Sequence, residues 1–296
     1  MKRWRALLAG LLLAAGTAAA AAAAAPASAP AAGYRFQIVT GDDSRLTARS
    51  AEDLYKRLVP TFAAFRTELA QRRRMVYVAI GPDALRQAAA RRCDCVVIAA
   101  FTSSQVWRAI VNELPPARLK AMTAVYAEPA PGDQVRLATL LYGRPVRVAA
   151  ILGPDSGHLL PSLSGKAEVL QAARGDDMGD ILARVRRSEV LLALPDSAIY
   201  NPENIRNILL STYRRKQAVI GFSADMVKVG ALATTYSEIE DINAQVAEMA
   251  ASFVASGDLP PPQFPRYFRT AINEGVARSL DIAVSDEARS FARARP

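Results

Sequence analysis

Seven short apolar runs, spaced by amphipathic helical patterns, restrict this chain to few architectures. The runs cover 34–40, 76–80, 96–100, 121–126, 146–152, 190–194 and 218–222. They are rich in Val, Ile and Ala and poor in charge, which suits strands covered on both faces, as in parallel sheets. Between them apolar residues return at helical spacing. One stripe is Leu54, Leu58, Phe62, Phe65 and Leu69; a second is Ile205, Ile208, Leu209 and Thr212; a third is Ile239, Ile242, Val246, Met249 and Phe253. Each reads as the core-facing side of a helix. Repeated strand–helix–strand units imply an α/β protein with parallel sheets. The 296 residues are 51% hydrophobic and 22% charged, enough apolar material for one large domain or two moderate ones. A disordered, collagen-like or disulfide-scaffolded chain is excluded.

One local pattern recurs three times. Gly81-Pro82-Asp83, Gly153-Pro154-Asp155 and Leu194-Pro195-Asp196 each close an apolar run. A Pro-Asp pair stops the strand and leaves a carboxylate at the carboxyl edge of the sheet, where ligands bind in open α/β folds. The alternative is an Asp that caps the next helix. The repeat suggests two similar α/β halves, joined through 132–144 after the extended Glu128-Pro129-Ala130-Pro131. Gly257 to Pro262 breaks the preceding helix, and 267–272 reads as a late strand.

The first thirty residues stand apart. Lys2, Arg3 and Arg5 precede an apolar stretch at 6–15 and small residues up to 27–29. This is the pattern of a cleavable secretory signal peptide, with cleavage expected between 25 and 33. The rival reading is an uncleaved anchor. The stretch holds no Cys, so export is expected to the bacterial periplasm and not by the lipoprotein route. Net charge is +9, but the cations are mostly Arg spread along the chain. The denser runs 72–74 and 214–216 are expected at helix ends, where they complement the helix dipole. No nucleic-acid partner is expected. A bridge between the two cysteines, Cys93 and Cys95, would close a tiny strained ring. With one histidine, His158, they cannot form a zinc set, so neither metal nor cofactor is expected. His158 itself reads as a loop or surface residue.

From 190 onward the succession of pieces carries a resemblance. Leu194-Pro195-Asp196 is followed by Asn201-Pro202-Glu203-Asn204, then Gly221-Phe222, Gly230-Ala231-Leu232-Ala233 and Arg269-Thr270-Ala271-Ile272-Asn273. This order resembles substrate-binding proteins of ABC transporters, in the family whose better-known members bind aromatic amino acids. The resemblance is good over about 190–285 and poor over 34–115. It implies a type I periplasmic-binding fold: two doubly wound parallel-sheet lobes, three crossing segments and a ligand cleft between the lobes. It also implies discontinuous lobes, about 33–128 plus 223–257 and about 145–222 plus 264–296.

A cleft for an amino-acid-like solute needs a carboxylate for an ammonium group, and hydroxyls or helix N-terminal N–H groups for a carboxylate. Asp196 is the leading cation partner, with Ser197 and Tyr200 in the same loop. Thr102 and Ser103 open a helix after the 96–100 run, followed by Ser104. Asp155 and Ser156 sit at the corresponding edge of the second half, and Ser223 lies near an expected crossing. Phe101, Tyr200, Phe222 and Tyr236 are candidate walls. Asn201 reads as a helix N-cap. The expected role is periplasmic binding of a small polar or aromatic solute, as a monomer, for an inner-membrane ABC permease; the alternative is a sensor partner of a membrane receptor or histidine kinase. No enzyme is expected: the adjacent pairs Asp42/Asp43 and Asp176/Asp177 would point apart on a strand.

Overall fold

The structure, a computed structural model, describes residues 33–63, 65 and 73–295. The 1–30 segment and Leu69 lie outside them. The elements run β1 (Gly33–Thr40), α1 (Arg45–Ala63), β2 (Arg73–Ile80), α2 (Pro82–Ala89), β3 (Cys95–Thr102), α3 (Ser104–Val111), α4 (Pro116–Leu119), β4 (Met122–Tyr126), α5 (Pro131–Tyr142) and β5 (Val148–Leu152). After a 3-10 turn at Gly157–Leu159 come α6 (Leu160–Leu163), β6 (Glu168–Gln171), α7 (Met178–Arg184), β7 (Val190–Leu192), α8 (Pro202–Arg214), β8 (Ala218–Ile220), α9 (Ala224–Lys228) and β9 (Ala233–Tyr236). The chain ends with α10 (Ile239–Ser256), β10 (Arg269–Ile272), α11 (Glu274–Ser279) and α12 (Asp286–Arg289).

Two sheets result. The first has the order β1-β2-β3-β4, all parallel; the second has β10-β9-β8-β7-β5-β6, parallel except for β10. Alternate residues of each strand face opposite cores, which is why both faces had to be apolar. Val76, Val78 and Ile80 pack with Leu54, Leu58 and Phe62 of α1 and Val246, Met249 and Phe253 of α10. Tyr77 and Ala79 pack with α2 and with Trp107 and Ile110 of α3. In the second sheet, Val148, Ala150 and Leu152 face α5 and α6, while Ala149 and Ile151 face α7, α8 and α9.

The strand order reverses between β5 and β7, because α6 covers one face and α7 the other. That reversal makes a crevice at the carboxyl ends of β5 and β7. The first sheet has no reversal. Its first three strands lie side by side in chain order, yet α1 and α2 cover opposite faces. The two crossovers therefore have opposite hands, against the usual right-handed rule.

Three segments pass between the sheets: 127–130 from β4 to α5, 237–238 from β9 to α10, and 257–268 from α10 to β10. Gly257, left-handed at φ 78, terminates α10 and opens the last passage. Gln263 pairs with Val125 at the edge of the first sheet, and Ser237 Oγ donates to Tyr267 O at 2.6 Å, tying two passages together.

Several sequence expectations change. Segment 223–236 belongs with the second sheet, because β9 completes its hydrogen bonds with β8 and β10; only α10, of the 223–257 piece, packs on the first. The late strand is antiparallel, since the chain re-enters the sheet along its edge from the other side. Arg73 and Arg74 begin β2 instead of ending a helix, whereas Arg214 does end α8. Cys93 and Cys95 are bridged, the turn before β3 bringing their Cα atoms to 5.2 Å. Strands β6 and β9 carried too few apolar residues in alternation to be read beforehand. Among the described residues no helix is long and apolar enough to cross a membrane, and no cluster of three or more His, Cys, Asp or Glu could hold a metal.

Candidate ligand cleft

The carboxyl end of β3 meets the β5–β7 crevice across the passages. At that end Phe101 adopts a left-handed backbone (φ 56) and the β3–β4 register shifts between Ala100 and Thr102. A non-glycine residue there is strained, and such strain re-aims the residues that follow. Thr102 turns inward, its hydroxyl near Ala100 O at 3.4 Å. Ser103 caps α3, accepting from Val106 N–H at 3.3 Å. Ser104, first residue of α3, donates its backbone N–H to both oxygens of Glu128, at 2.9 and 3.2 Å. Its hydroxyl lies 3.1 Å from His158 Nε2. Residues of the first sheet's helix, of a passage and of the second sheet's 3-10 turn therefore form one continuous junction.

The second-sheet candidates are arranged otherwise than the sequence suggested. Asp196 is 1% exposed. One carboxylate oxygen accepts from Gly153 N–H at 3.0 Å and Ser156 Oγ at 2.5 Å; the other accepts from Ala198 N–H at 3.0 Å. Asp196 thus stitches the loops after β5 and β7 together and fills the crevice itself. Ser156 is spent on that same contact. Tyr200 is buried in the core against Phe222, its hydroxyl reaching Leu192 O. Burial, with the Asp196 carboxylate adding to it, pushes the Tyr200 hydroxyl well above the usual range. Ser197 is exposed in the turn after Asp196. Asp155 is exposed and paired with Arg174 at 3.4 Å. Ser223 caps α9, accepting from Met226 N–H. Asn201 caps α8 as expected. Asp42 accepts from Ser44 N–H in a turn, Asp176 accepts from Ala173 N–H and Asp177 caps α7.

The junction residues missed from sequence are Glu128, Ser104 as a lobe-to-lobe contact, and His158. Glu128 had a signal: it is a carboxylate just beyond an apolar run, like the three Pro-Asp sites, but it stood in a Pro-rich stretch read only as a connection. It is 4% exposed. Burial raises its carboxyl above the usual range, with the Ser104 hydroxyl and N–H opposing. His158 is held below its usual value by burial and then by Arg108, against Asp155 and Asp196. A hollow of about 290 Å³ opens beside the junction, lined by Gln105, Arg108, Asn112, Pro154, Asp155 and His158.

Two predictions arise here. A Cβ at Gly153 would lie 2.5 Å from Asp196 Oδ2, an oxygen already held by two donors. Gly153→Ala should cost about 1–3 kcal/mol; a urea midpoint equal to wild type would mean that the carboxylate can swing away. For Glu128, the folded state holds the proton more tightly than the unfolded chain. Its favourable contribution is complete below the ordinary Glu pKa and is lost as pH rises through the raised folded value. Glu128→Gln should therefore gain stability relative to wild type as pH rises through that window. Parallel pH–stability curves for the two proteins would show that Glu128 titrates normally.

Comparison with solved structures gives the fold class. Similar structures include an ABC domain in complex with L-Trp from Streptococcus pneumonia, 14% identical over 87% of this chain and 99% of that chain, TM-score 0.52. A conserved domain protein from Vibrio cholerae is 16% identical over 88% and 99%, TM-score 0.51. The ligand-free, open structure of a substrate binding protein with adhesive properties from Clostridium difficile is 12% identical over 88% and 99%, TM-score 0.57. The chain has the type I periplasmic-binding-protein-like fold that the resemblance implied. No family model and no curated protein matches the sequence.

Proposed function

We propose that this protein is the periplasmic solute-binding component of an ABC-type uptake system. It would take an amino-acid-like solute, polar or aromatic, between two lobes, one built on each sheet, and pass it to an inner-membrane permease. The observation that carries this reading is the junction of Ser104, Glu128 and His158, where residues of the two sheets meet beside the first passage. Two bodies joined in that way close on a solute by hinge motion. The N-terminal signal pattern supports export, and a monomer suffices because both edges come from one chain. No chemistry on the solute is required.

The test is a thermal-shift screen of the exported protein, first unfolded and refolded to strip bound solute. The panel would hold amino acids, organic acids, sugars and polyamines. A solute at about 100 times its dissociation constant should stabilise the fold by roughly 2.7 kcal/mol. Silence across all classes would sink the delivery role and favour a receptor-docking role on the same fold.

A further inference from the structure

The buried carboxylates of this protein are not alike in their partners. Asp196 has three donors from its own sheet. Asp241 is paired with Arg295 at 2.9 Å. Glu128 is buried to the same degree, yet its donors are neutral and come chiefly from one residue, Ser104, through its backbone N–H and its hydroxyl. Among the described residues no Lys, Arg or His forms an ion pair with it. None of these donors carries a charge, so the carboxylate is buried without a cationic partner. Burying such a group unpaired is costly. Its position is also distinctive: it stands on the first passage between the sheets, one residue's contact from the lobe-to-lobe pair Ser104 and His158.

We propose that Glu128 is the seat for the cationic group of a small primary-amine solute, reached by parting Ser104 from His158. This rests on the solute-binding reading above, and it moves the cation site from Asp196, whose oxygens are taken, to the passage between the lobes. An ammonium group brings three donors and the counter-charge that the site lacks. The charged and titratable groups around Glu128 are Arg108 of α3, Tyr126 of β4 and His158. Tyr126 is pushed up to about 12 by burial and then by Glu128. Arg108 lines the neighbouring hollow, where it would repel an amine left outside the seat. At a pH where burial holds the carboxyl protonated, loading is an exchange. The ammonium enters, the Glu128 O–H bond breaks, and the proton leaves to solvent.

The experiment uses calorimetry on the exported protein with three probes of one skeleton: L-phenylalanine, phenethylamine and 3-phenylpropionate. Titrations run from about pH 5 to 8 in buffers of different ionisation enthalpy. The two amine probes should bind, release protons, and tighten by up to about tenfold per pH unit while Glu128 is protonated. The proton count needs no variant. Glu128→Gln, which keeps an acceptor for the Ser104 N–H, should weaken the amine probes by at least about tenfold and abolish the proton release. Equal binding of 3-phenylpropionate, or amine binding by Glu128→Gln with wild-type affinity, would overturn the inference and leave the solute-binding role standing. So would failure of both amine probes alongside a sugar or organic acid that binds. Failure of every class would overturn both.

Discussion

Asp196→Ala should destabilise the protein by about 3–5 kcal/mol, the largest single effect expected from any residue of the cleft. The substitution removes one carboxylate that three donors share: the buried Gly153 N–H, the buried Ser156 Oγ, which keeps only a longer contact to Gly153 O, and the part-buried Ala198 N–H. Water cannot readily replace the carboxylate, because the group is 1% exposed. Against a total stability of about 5–15 kcal/mol, this is a large fraction. Urea unfolding followed by circular dichroism would measure it. A variant within about 1 kcal/mol of wild type that has lost its response to solutes would restore Asp196 as a ligand group instead of a structural one.

Gln134→Ala should cost about 2–4 kcal/mol, through a different mechanism. Gln134 stands at the start of α5, just after the first passage. Its Nε2 donates to Gly221 O at 2.6 Å and Thr234 Oγ1 at 2.9 Å, while its Oε1 accepts from Thr235 N–H at 2.9 Å. One amide side chain thus fixes the first passage to β9, which leads straight into the second. Truncation leaves the buried Thr235 N–H without its acceptor and adds a cavity, while Gly221 O keeps the Thr234 hydroxyl. Hydrogen exchange at the Thr235 amide reads the effect locally: protection should fall in the variant along with the urea midpoint. Unchanged exchange would mean that the passages hold together without this link.

Much of the framework is legible in the sequence. The seven apolar runs all became strands, because burial on both faces demands continuous apolar sequence. Leu54, Leu58 and Phe62 face the first core at the spacing that marked them, and Asn201 caps α8 through a contact three residues away. The candidate site was less legible. Thr102 and Ser103 lie at the carboxyl end of β3 beside the junction, but Asp196, Ser156 and Tyr200 are consumed by packing within the second sheet. An Asp after a strand has the same sequence whether it faces a ligand or a neighbouring loop. Here the choice fell to the loop because Gly153 has no side chain, so the carboxylate comes against its backbone.

The sequence by itself determined the alternation of elements, their caps and their apolar faces, since each depends on neighbours within a few residues along the chain. The tertiary structure alone decided the strand order, the antiparallel return of β10 and the meeting of Ser104, Glu128 and His158. Those three come from positions 24 and 54 residues apart. They are brought together only where the chain passes between two sheets, and no local periodicity encodes such a passage. The same holds for the burden on each carboxylate. Asp196 and Glu128 are both strand-end acids in the sequence, and only the fold gives one three donors from two loops and leaves the other leaning chiefly on Ser104.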